Sequence, residues 1–346
     1  MPSGIKIAIN GFGRIGRTFF RAAYDAKLEI VAVNDIGDPK TMVHLLKYDS
    51  NYGEFPAAVD LAENGFTVDG KAVKFYSEKD PSKLPWKSLN IDLVIESTGV
   101  FTDYEGASGH IKAGAKHVVI SAPSKNNEKI KTIVLGVNEE QFDPNPCVLS
   151  MASCTTNCLA PVADVLHKNF GIQKSSMTTI HSYTMDQRLQ DDVHKDLRRA
   201  RGAALSIIPT TTGATTAAAE VIPDLKNKMN GISYRVPTAT VSLIDFVALL
   251  SKNTTVEEVN DAFKEAAEDP KYQGAIAVSA EPLVSSDFKG NPHGAIVDLM
   301  STQVIDDNLV RVVAWYDNEM GYSYRLAEFC RFVEKKIGGQ ERINEK

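Results

Sequence analysis

The feature that most limits what this chain can fold into is its beginning. Ile5-Lys6-Ile7-Ala8-Ile9-Asn10 runs directly into Gly11-Phe12-Gly13-Arg14-Ile15-Gly16, and a helical pattern follows. Strand, glycine turn and helix in that order open a βαβ unit, which commits the chain to a parallel sheet with crossover helices. Gly11 allows the tight turn, Gly13 lets backbone approach a pyrophosphate, and Gly16 lets helix and strand pack closely. The helix N-terminus adds N–H donors and the positive end of its dipole. A second apolar run closes on Val33-Asn34-Asp35. Asp35 thus lies about 20 residues past the glycines, where a carboxylate accepts hydrogen bonds from a ribose 2′-OH and repels a 2′-phosphate. The expected ligand is NAD rather than NADP.

The rest of the first half continues the pattern. Residues 5–10, 29–34, 93–96 and 118–121 read as strands, and 14–26 and 104–113 as helices. Asn64-Gly65 and Asp69-Gly70 punctuate 66–68 and 72–76 like hairpin turns, so an antiparallel insertion is expected there. Beyond about residue 150 the composition changes. Residues 174–184 and 232–250 are long and rich in Thr, Ser, Val and Ile, as suits a mixed or antiparallel sheet. Between them, residues 185–208 are charged and irregular, and a loop of that length in a compact enzyme is usually functional or an interface.

With 346 residues, 43% apolar and 24% charged, the chain can bury a sizeable core and is expected to form about two domains. A net charge of -6 argues against general affinity for nucleic acid or anionic membranes, so an anionic ligand must be caught by a local cluster of donors. Met1-Pro2-Ser3-Gly4 has no secretory character, which makes the cytoplasm the expected compartment. Four cysteines, Cys147, Cys154, Cys158 and Cys330, are too few and too unevenly spaced for a disulfide framework or a paired zinc site. Reduced thiols and no metal are expected.

Ser153-Cys154-Thr155-Thr156-Asn157-Cys158 passes from an apolar strand into a helical pattern at 159–169. Cys154 therefore stands at or near a helix N-terminus, which favours thiolate over thiol and makes it the candidate nucleophile. Cys147 and Cys330 read as small hydrophobes, and Cys158, one turn deeper, as core or a redox neighbour. A cysteine nucleophile needs a base, and His181 is placed for it at the end of a strand ahead of the long loop; a satisfied structural histidine is the other reading. Within that loop His194-Lys195-Asp196-Leu197-Arg198-Arg199-Ala200-Arg201 is densely basic, Thr210-Thr211-Thr212-Gly213 supplies hydroxyls and a backbone donor, and Arg235 precedes Pro237. Arginine forks and threonine hydroxyls match phosphate oxygens, which makes a phosphate-bearing aldehyde plausible as substrate.

At this point the sequence closely resembles the glyceraldehyde-3-phosphate dehydrogenase family, over nearly the whole length from Ile5 to about Phe332. The segments that carry the likeness are Asn10-Gly11-Phe12-Gly13-Arg14-Ile15-Gly16-Arg17, Ser153-Cys154-Thr155-Thr156-Asn157-Cys158, residues 194–201 and Trp315-Tyr316-Asp317-Asn318-Glu319. The expected architecture is α/β: a Rossmann dinucleotide-binding domain at 1–153, an α+β catalytic domain with a mixed or antiparallel sheet at 154–320, and a helix at 321–346 packing back on the NAD domain, its last dozen residues a loose polar tail. The resemblance implies a covalent cycle. The Cys154 thiolate attacks the aldehyde, His181 takes the hydroxyl proton as hydride leaves for NAD, and inorganic phosphate releases the thioester as 1,3-bisphosphoglycerate. It implies the substrate phosphate near Thr184 and Arg235, and the attacking phosphate near Ser153, Thr155, Arg199, Thr212 and Gly213. Asn318 would orient the nicotinamide with Tyr322 nearby, while Asn10, Arg14, Ile15 and Ser121 match further cofactor contacts. It also implies a homotetramer in which the loop at 185–208 packs beside a neighbour's cofactor. One departure is Asp192-Val193, where many NAD-specific relatives carry Leu-Pro; the added carboxylate opposes a 2′-phosphate, and loss of the proline is expected to loosen the loop. Erythrose-4-phosphate dehydrogenase is the rival enzyme reading, and a non-catalytic NAD-binding interaction protein the rival from another class. The second anion site favours the phosphorylating enzyme, and the Cys154, His181 and Asn318 set speaks against an inactive protein.

Overall fold

The computed structural model describes residues 4–125, 128–145 and 147–344, with side chains in the last helix described as far as Ile337. They fall into two compact units. One takes the chain up to Ile133, then Glu140–Ala152 and the segment from Leu326 onward; the other takes Val134–Glu139 and Ser153–Arg325.

In the first unit, β1 (Lys6–Asn10), helix α1 (Arg14–Asp25) and β2 (Glu29–Asn34) make the opening βαβ unit. Then come β3 (Val59–Ala62), β4 (Gly65–Val68), β5 (Lys71–Tyr76), β6 (Leu93–Glu96), β7 (His117–Ile120), β8 (Lys131–Thr132) and β9 (Cys147–Ser150). Among the described residues these strands form one sheet in the order β8-β9-β7-β6-β1-β2-β5-β4-β3. Pairing is parallel from β8 to β5 and antiparallel through β5, β4 and β3, so the hairpin insertion extends one edge. The chain leaves β1 toward β2 on one side and returns to β6 on the other. The carboxyl ends of β1 and β6 therefore border the crevice where an open parallel sheet binds ligands. Ile7, Ile9, Leu93, Ile95 and Val119 are fully buried, as strands covered on both faces require.

The second unit holds helix α2 (Cys154–Phe170), β10 (Ile172–Ser182), β11 (Ile208–Thr210), α3 (Ala214–Val221), β12 (Met229–Val236), β13 (Ser242–Leu250), α4 (Val256–Glu268), β14 (Ile276–Ser279), β15 (Ala295–Ile305) and β16 (Leu309–Tyr316). The strands form a mixed sheet in the order β11-β12-β10-β13-β16-β15-β14. Alternate residues of β13, among them Ile244, Phe246 and Ala248, face a core shared with Leu159, Val162, Ala163 and Leu166 of α2. Burying that helix face fixes where its first turn, with Cys154, must sit.

Local chemistry explains the departures from the sequence reading. The helix expected at 104–113 is two short turns, Tyr104–Ala107 and Gly109–Lys112, because Gly106 and Gly109 weaken helix propagation. The run at 232–250 divides into β12 and β13 at Pro237, which cannot donate to a ladder. The polar tail is helical as far as Asn344, in α5 (Met320–Asn344), and residues 345–346 of the tail lie outside the described residues. On its way α5 sets Phe329 and Phe332 against Phe142, with ring centroids 6.1 and 5.5 Å away.

His117, at the start of β7, is buried beside Phe142 and has its Nδ1 3.5 Å from the Cys147 sulfur. Burial, and then the charge of Lys116, push its pKa down from 6.5 to about 4. As pH falls, the unfolded chain therefore takes up this proton first, and stability contributed at neutral pH is lost between about 6.5 and 4. Between pH 6.5 and 5 this one group should cost about 1.5 kcal/mol. Denaturant unfolding at the two pH values checks it: the wild type should lose more stability than His117→Gln, and equal losses would contradict the assignment.

Candidate active site

The glycine turn has the form a dinucleotide needs. Gly11 has φ +90°, and a Cβ there would lie 2.6 Å from the Thr98 nitrogen. A Cβ on Gly16 would lie 2.1 Å from the Gly11 carbonyl oxygen, whereas one on Gly13 meets nothing within 4 Å. Two glycines are thus demanded by the protein's own packing, and the third leaves backbone open for a ligand. Asp35 is held at the rim of the cleft by the backbone N–H groups of Phe12 and Gly37, at 2.6 and 2.7 Å. Asn10, Gly11, Gly13, Asn34, Asp35, Ser97, Thr98 and Phe101 line the same cleft. The Arg14 guanidinium is bound by Asp49 and lies over Tyr52, so Arg14 and Ile15 have their first-turn N–H groups to offer a phosphate. Ser121, just past β7, donates to the Glu96 carbonyl.

Beneath this cleft is a buried polar chain that the sequence reading missed. Asn10 donates to Glu96 at 2.6 Å, Asn34 donates to Asn10 at 2.7 Å, and His110 Nε2 is 3.1 Å from Glu96. Trp86 donates to His110 Nδ1 at 2.8 Å, so the Nε2–H of that ring faces the carboxylate. The strand ends that carry the glycine turn are thereby tied to one another.

Cys154 opens α2, and Ser153 caps the helix by accepting from the Thr156 N–H at 3.1 Å. Ala152, just before the cap, has φ 53°, a left-handed conformation that turns the chain sharply from extended backbone into the helix. Cys154 Sγ lies 3.5 Å from His181 Nε2. His181 comes to this place by register: in the parallel pair β10/β12 it stands opposite Arg235. Its Nδ1 is 2.7 Å from the Ser182 carbonyl, and Arg235 Nη1 approaches both, at 2.6 Å from Nδ1 and 3.2 Å from that carbonyl. When Nδ1–H donates to the Ser182 carbonyl, the Nε2 lone pair faces the sulfur, which is the arrangement a general base requires, whereas a proton donated by Arg235 to Nδ1 places the ring hydrogen on Nε2 instead.

Burial acts against the ionisation that the helix end and a paired imidazole would favour. Burial pushes the Cys154 thiol up, against the pull of Arg235 and of the Thr155 and Cys154 N–H groups. Burial, and then the Arg235 charge, push His181 down to about 3. Each charge alone is costly here. A proton passing from Sγ to Nε2 creates both at once, and their attraction across 3.5 Å offsets the desolvation.

Around this pair, Thr155 and Thr179 both bond the hydroxyl of buried Tyr316 at 2.9 Å, and the Tyr316 ring meets His181 edge-on at 5.9 Å. Tyr316 thus packs against the imidazole, a role that the Trp315–Glu319 segment did not announce. Arg199 Nε donates to Thr210 at 2.9 Å, and its Nη1 is bound by Asp186. Thr212 accepts from the Ala214 N–H at 3.2 Å, and Gly213 caps α3, which turns that helix start into a donor site. The Thr184 N–H donates to Gln187 at 3.2 Å. Asn318 is buried and accepts from Ser242, whose oxygen accepts in turn from the Ser182 N–H. Tyr322 is buried in the same unit. Cys158 and Cys330 are core residues, whereas Cys147 is half-buried. Asp192-Val193 is tied into the loop by two hydrogen bonds: Asp192 N–H donates to the Ala200 carbonyl and Arg188 Nε to the Val193 carbonyl, at 3.0 and 2.9 Å.

Comparison with known proteins gives two family matches: the NAD binding domain of glyceraldehyde 3-phosphate dehydrogenase over residues 5–104, and the C-terminal domain of the same enzyme over 153–318. Among curated relatives, glyceraldehyde-3-phosphate dehydrogenase of Geobacillus stearothermophilus is 54% identical over 96% of this chain and 99% of its own length. The protein of that name from Borreliella burgdorferi is 50% identical over 96% of this chain and all of its own length. Glyceraldehyde-3-phosphate dehydrogenase 1 of Bacillus subtilis is 51% identical over 96% and 99%.

The glycine geometry separates two variants. Gly13→Ala should fold with unchanged stability and bind NAD at least ten-fold more weakly, because the methyl occupies the ligand's side of the turn. Gly16→Ala should lose NAD affinity together with about 1–3 kcal/mol of stability. Calorimetric titration and denaturant unfolding read the two effects; normal NAD binding by Gly13→Ala would remove that backbone from the phosphate site.

Proposed function

The chain belongs to the glyceraldehyde 3-phosphate dehydrogenase family, and from that premise we propose how its own residues divide the work of the reaction. It is an NAD-dependent oxidoreductase that converts glyceraldehyde 3-phosphate and inorganic phosphate to 1,3-bisphosphoglycerate in glycolysis. The observation that carries the assignment of roles is the Cys154–His181 pair, sulfur to Nε2 at 3.5 Å, with the far ring nitrogen beside a carbonyl.

His181 Nε2 takes the thiol proton as the sulfur attacks the aldehyde carbon, forming the C–S bond of a thiohemiacetal. The proton returns to the oxyanion, which the Cys154 N–H at the helix start also stabilises. His181 then accepts the hydroxyl proton as hydride departs, leaving a thioester. NAD would supply the hydride acceptor when bound; Asn10, Gly11, Gly13, Arg14, Ile15, Gly16, Asp35 and Ser121 of the first unit would hold it, and Asn318 and Tyr322 of the second are proposed for its nicotinamide. An oxygen of inorganic phosphate attacks the thioester carbon, the C–S bond breaks, and the sulfur leaves as thiolate. Arg235 and Thr184 hold the substrate's own phosphate; Ser153, Thr155, Arg199, Thr212 and Gly213 hold the attacking one. The guanidinium beside His181 and the hydroxyl and N–H donors around α2 and α3 support this division.

The working form is a homotetramer in the cytoplasm. Large apolar side chains exposed on the loop, among them Met185, Leu189, Leu197 and Leu205, support an assembly that covers them. A catalytic thiol, in a chain whose four cysteines are all free, suits a reducing compartment.

Pure protein with NAD, glyceraldehyde 3-phosphate and phosphate should form NADH steadily, and Cys154→Ser should abolish this. His181→Asn should bind NAD normally and turn over on the order of 100-fold more slowly. Sustained turnover without phosphate would refute the phosphorylating reaction, and an unchanged rate in His181→Asn would remove the imidazole from the mechanism.

A further inference from the structure

The two arginines read as phosphate holders are not alike. Arg235 has no carboxylate against it among the described residues. Its Nη1 contacts His181 and the Ser182 carbonyl, and its buried Nε has no hydrogen-bond partner. Arg199 is already loaded. Asp186 binds its Nη1 from the solvent side, Asp196 Oδ2 lies 3.5 Å from its Nε, and Asp186 is also 3.4 Å from His194 Nε2. The Arg199 side chain is 18% exposed and that of Asp186 51%, so the carboxylate stands where an anion from solvent must arrive. Two carboxylates against one guanidinium weaken the pull of Arg199 on a phosphate until one of them withdraws, and Asp186 is the more exposed of the two.

Resting on the reading of Arg199 as the holder of the attacking phosphate, we propose that the Asp186 carboxylate is a built-in competitor for that guanidinium. Inorganic phosphate binds by displacing it, so Asp186 sets the affinity for inorganic phosphate, whereas the sugar phosphate's site at Arg235 makes no ion pair with Asp186 and feels its charge only through space. The chemistry gives this a use. The aldehyde must be captured and oxidised before phosphate is needed, and a carboxylate on Arg199 weakens the second anion's hold through that stage. The exchange costs little, because a half-exposed ion pair is weak.

The test is the Michaelis constant for each substrate in four variants of the full-length enzyme. Asp186→Asn should lower the KM for inorganic phosphate about three- to five-fold and leave that for glyceraldehyde 3-phosphate within about two-fold. Asp186→Glu keeps the carboxylate and should stay near the wild type. Asp191→Asn removes the same charge from the same loop, where it binds Arg201 at 2.9 Å, and should change neither constant. Arg199→Ala should raise the KM for phosphate more than ten-fold. If Arg199→Ala leaves that constant unchanged, the underlying phosphate-site reading fails. If Arg199→Ala raises it but Asp186→Asn does not lower it, the competitor is refuted while the site stands. Equal drops in Asp186→Asn and Asp191→Asn would also overturn the proposal, leaving net charge as the cause.

Discussion

The chemistry rests on a sulfur and an imidazole held 3.5 Å apart in a buried place, where neither is comfortable as an ion alone. Two independent devices set that distance. The Ser153 cap and the left-handed Ala152 fix the first turn of α2, while the parallel register of β10 with β12 puts His181 beside Arg235. Tyr316 braces the ring from a third strand, and its hydroxyl ties Thr155 of the helix to Thr179 of the strand. Since α2 packs its apolar face on this sheet, core burial and catalytic geometry are one constraint.

Charge placement then assigns the order of events. Arg235 lowers the imidazole's proton affinity and raises the thiolate's stability, so an anion neutralising it changes the pair it serves. Arg199 sits among Asp186, Asp196 and Thr210 and exerts far less pull on an incoming anion. An enzyme with two phosphate-bearing ligands must keep them from exchanging places, and unequal compensation of two arginines is an economical way to do so. The nucleotide end uses another device: backbone shape, with Gly11 and Gly16 pressed against the protein's own atoms and Gly13 facing open space.

What could be read in the sequence was what depends on local chemistry. The strand–glycine–helix opening, the hairpin turns at Asn64-Gly65 and Asp69-Gly70, and a cysteine at a helix start follow from spacing and turn preference, and each lies within a few residues of its element in the structure. What depends on tertiary pairing could not be read. His181 and Arg235 are 54 residues apart and meet only through sheet register. Tyr316 and Asn10 lie inside quoted segments, but the brace that Tyr316 makes and the chain from Trp86 through His110 and Glu96 to Asn10 could not be read there, since their partners come from distant segments. The forces on the sulfur divide in the same way: the helix end that favours thiolate is visible in sequence, but the burial that opposes it is not.

The central claim is that the sulfur becomes nucleophilic by passing its proton to His181, rather than by ionising alone. The most direct test is the pH dependence of Cys154 alkylation by iodoacetamide, followed by mass spectrometry in the wild type and in His181→Asn. The account predicts that removing the imidazole moves the rise in reactivity to higher pH by a unit or more. Superimposable profiles would contradict it, and would mean that the helix end and Arg235 suffice to hold the thiolate.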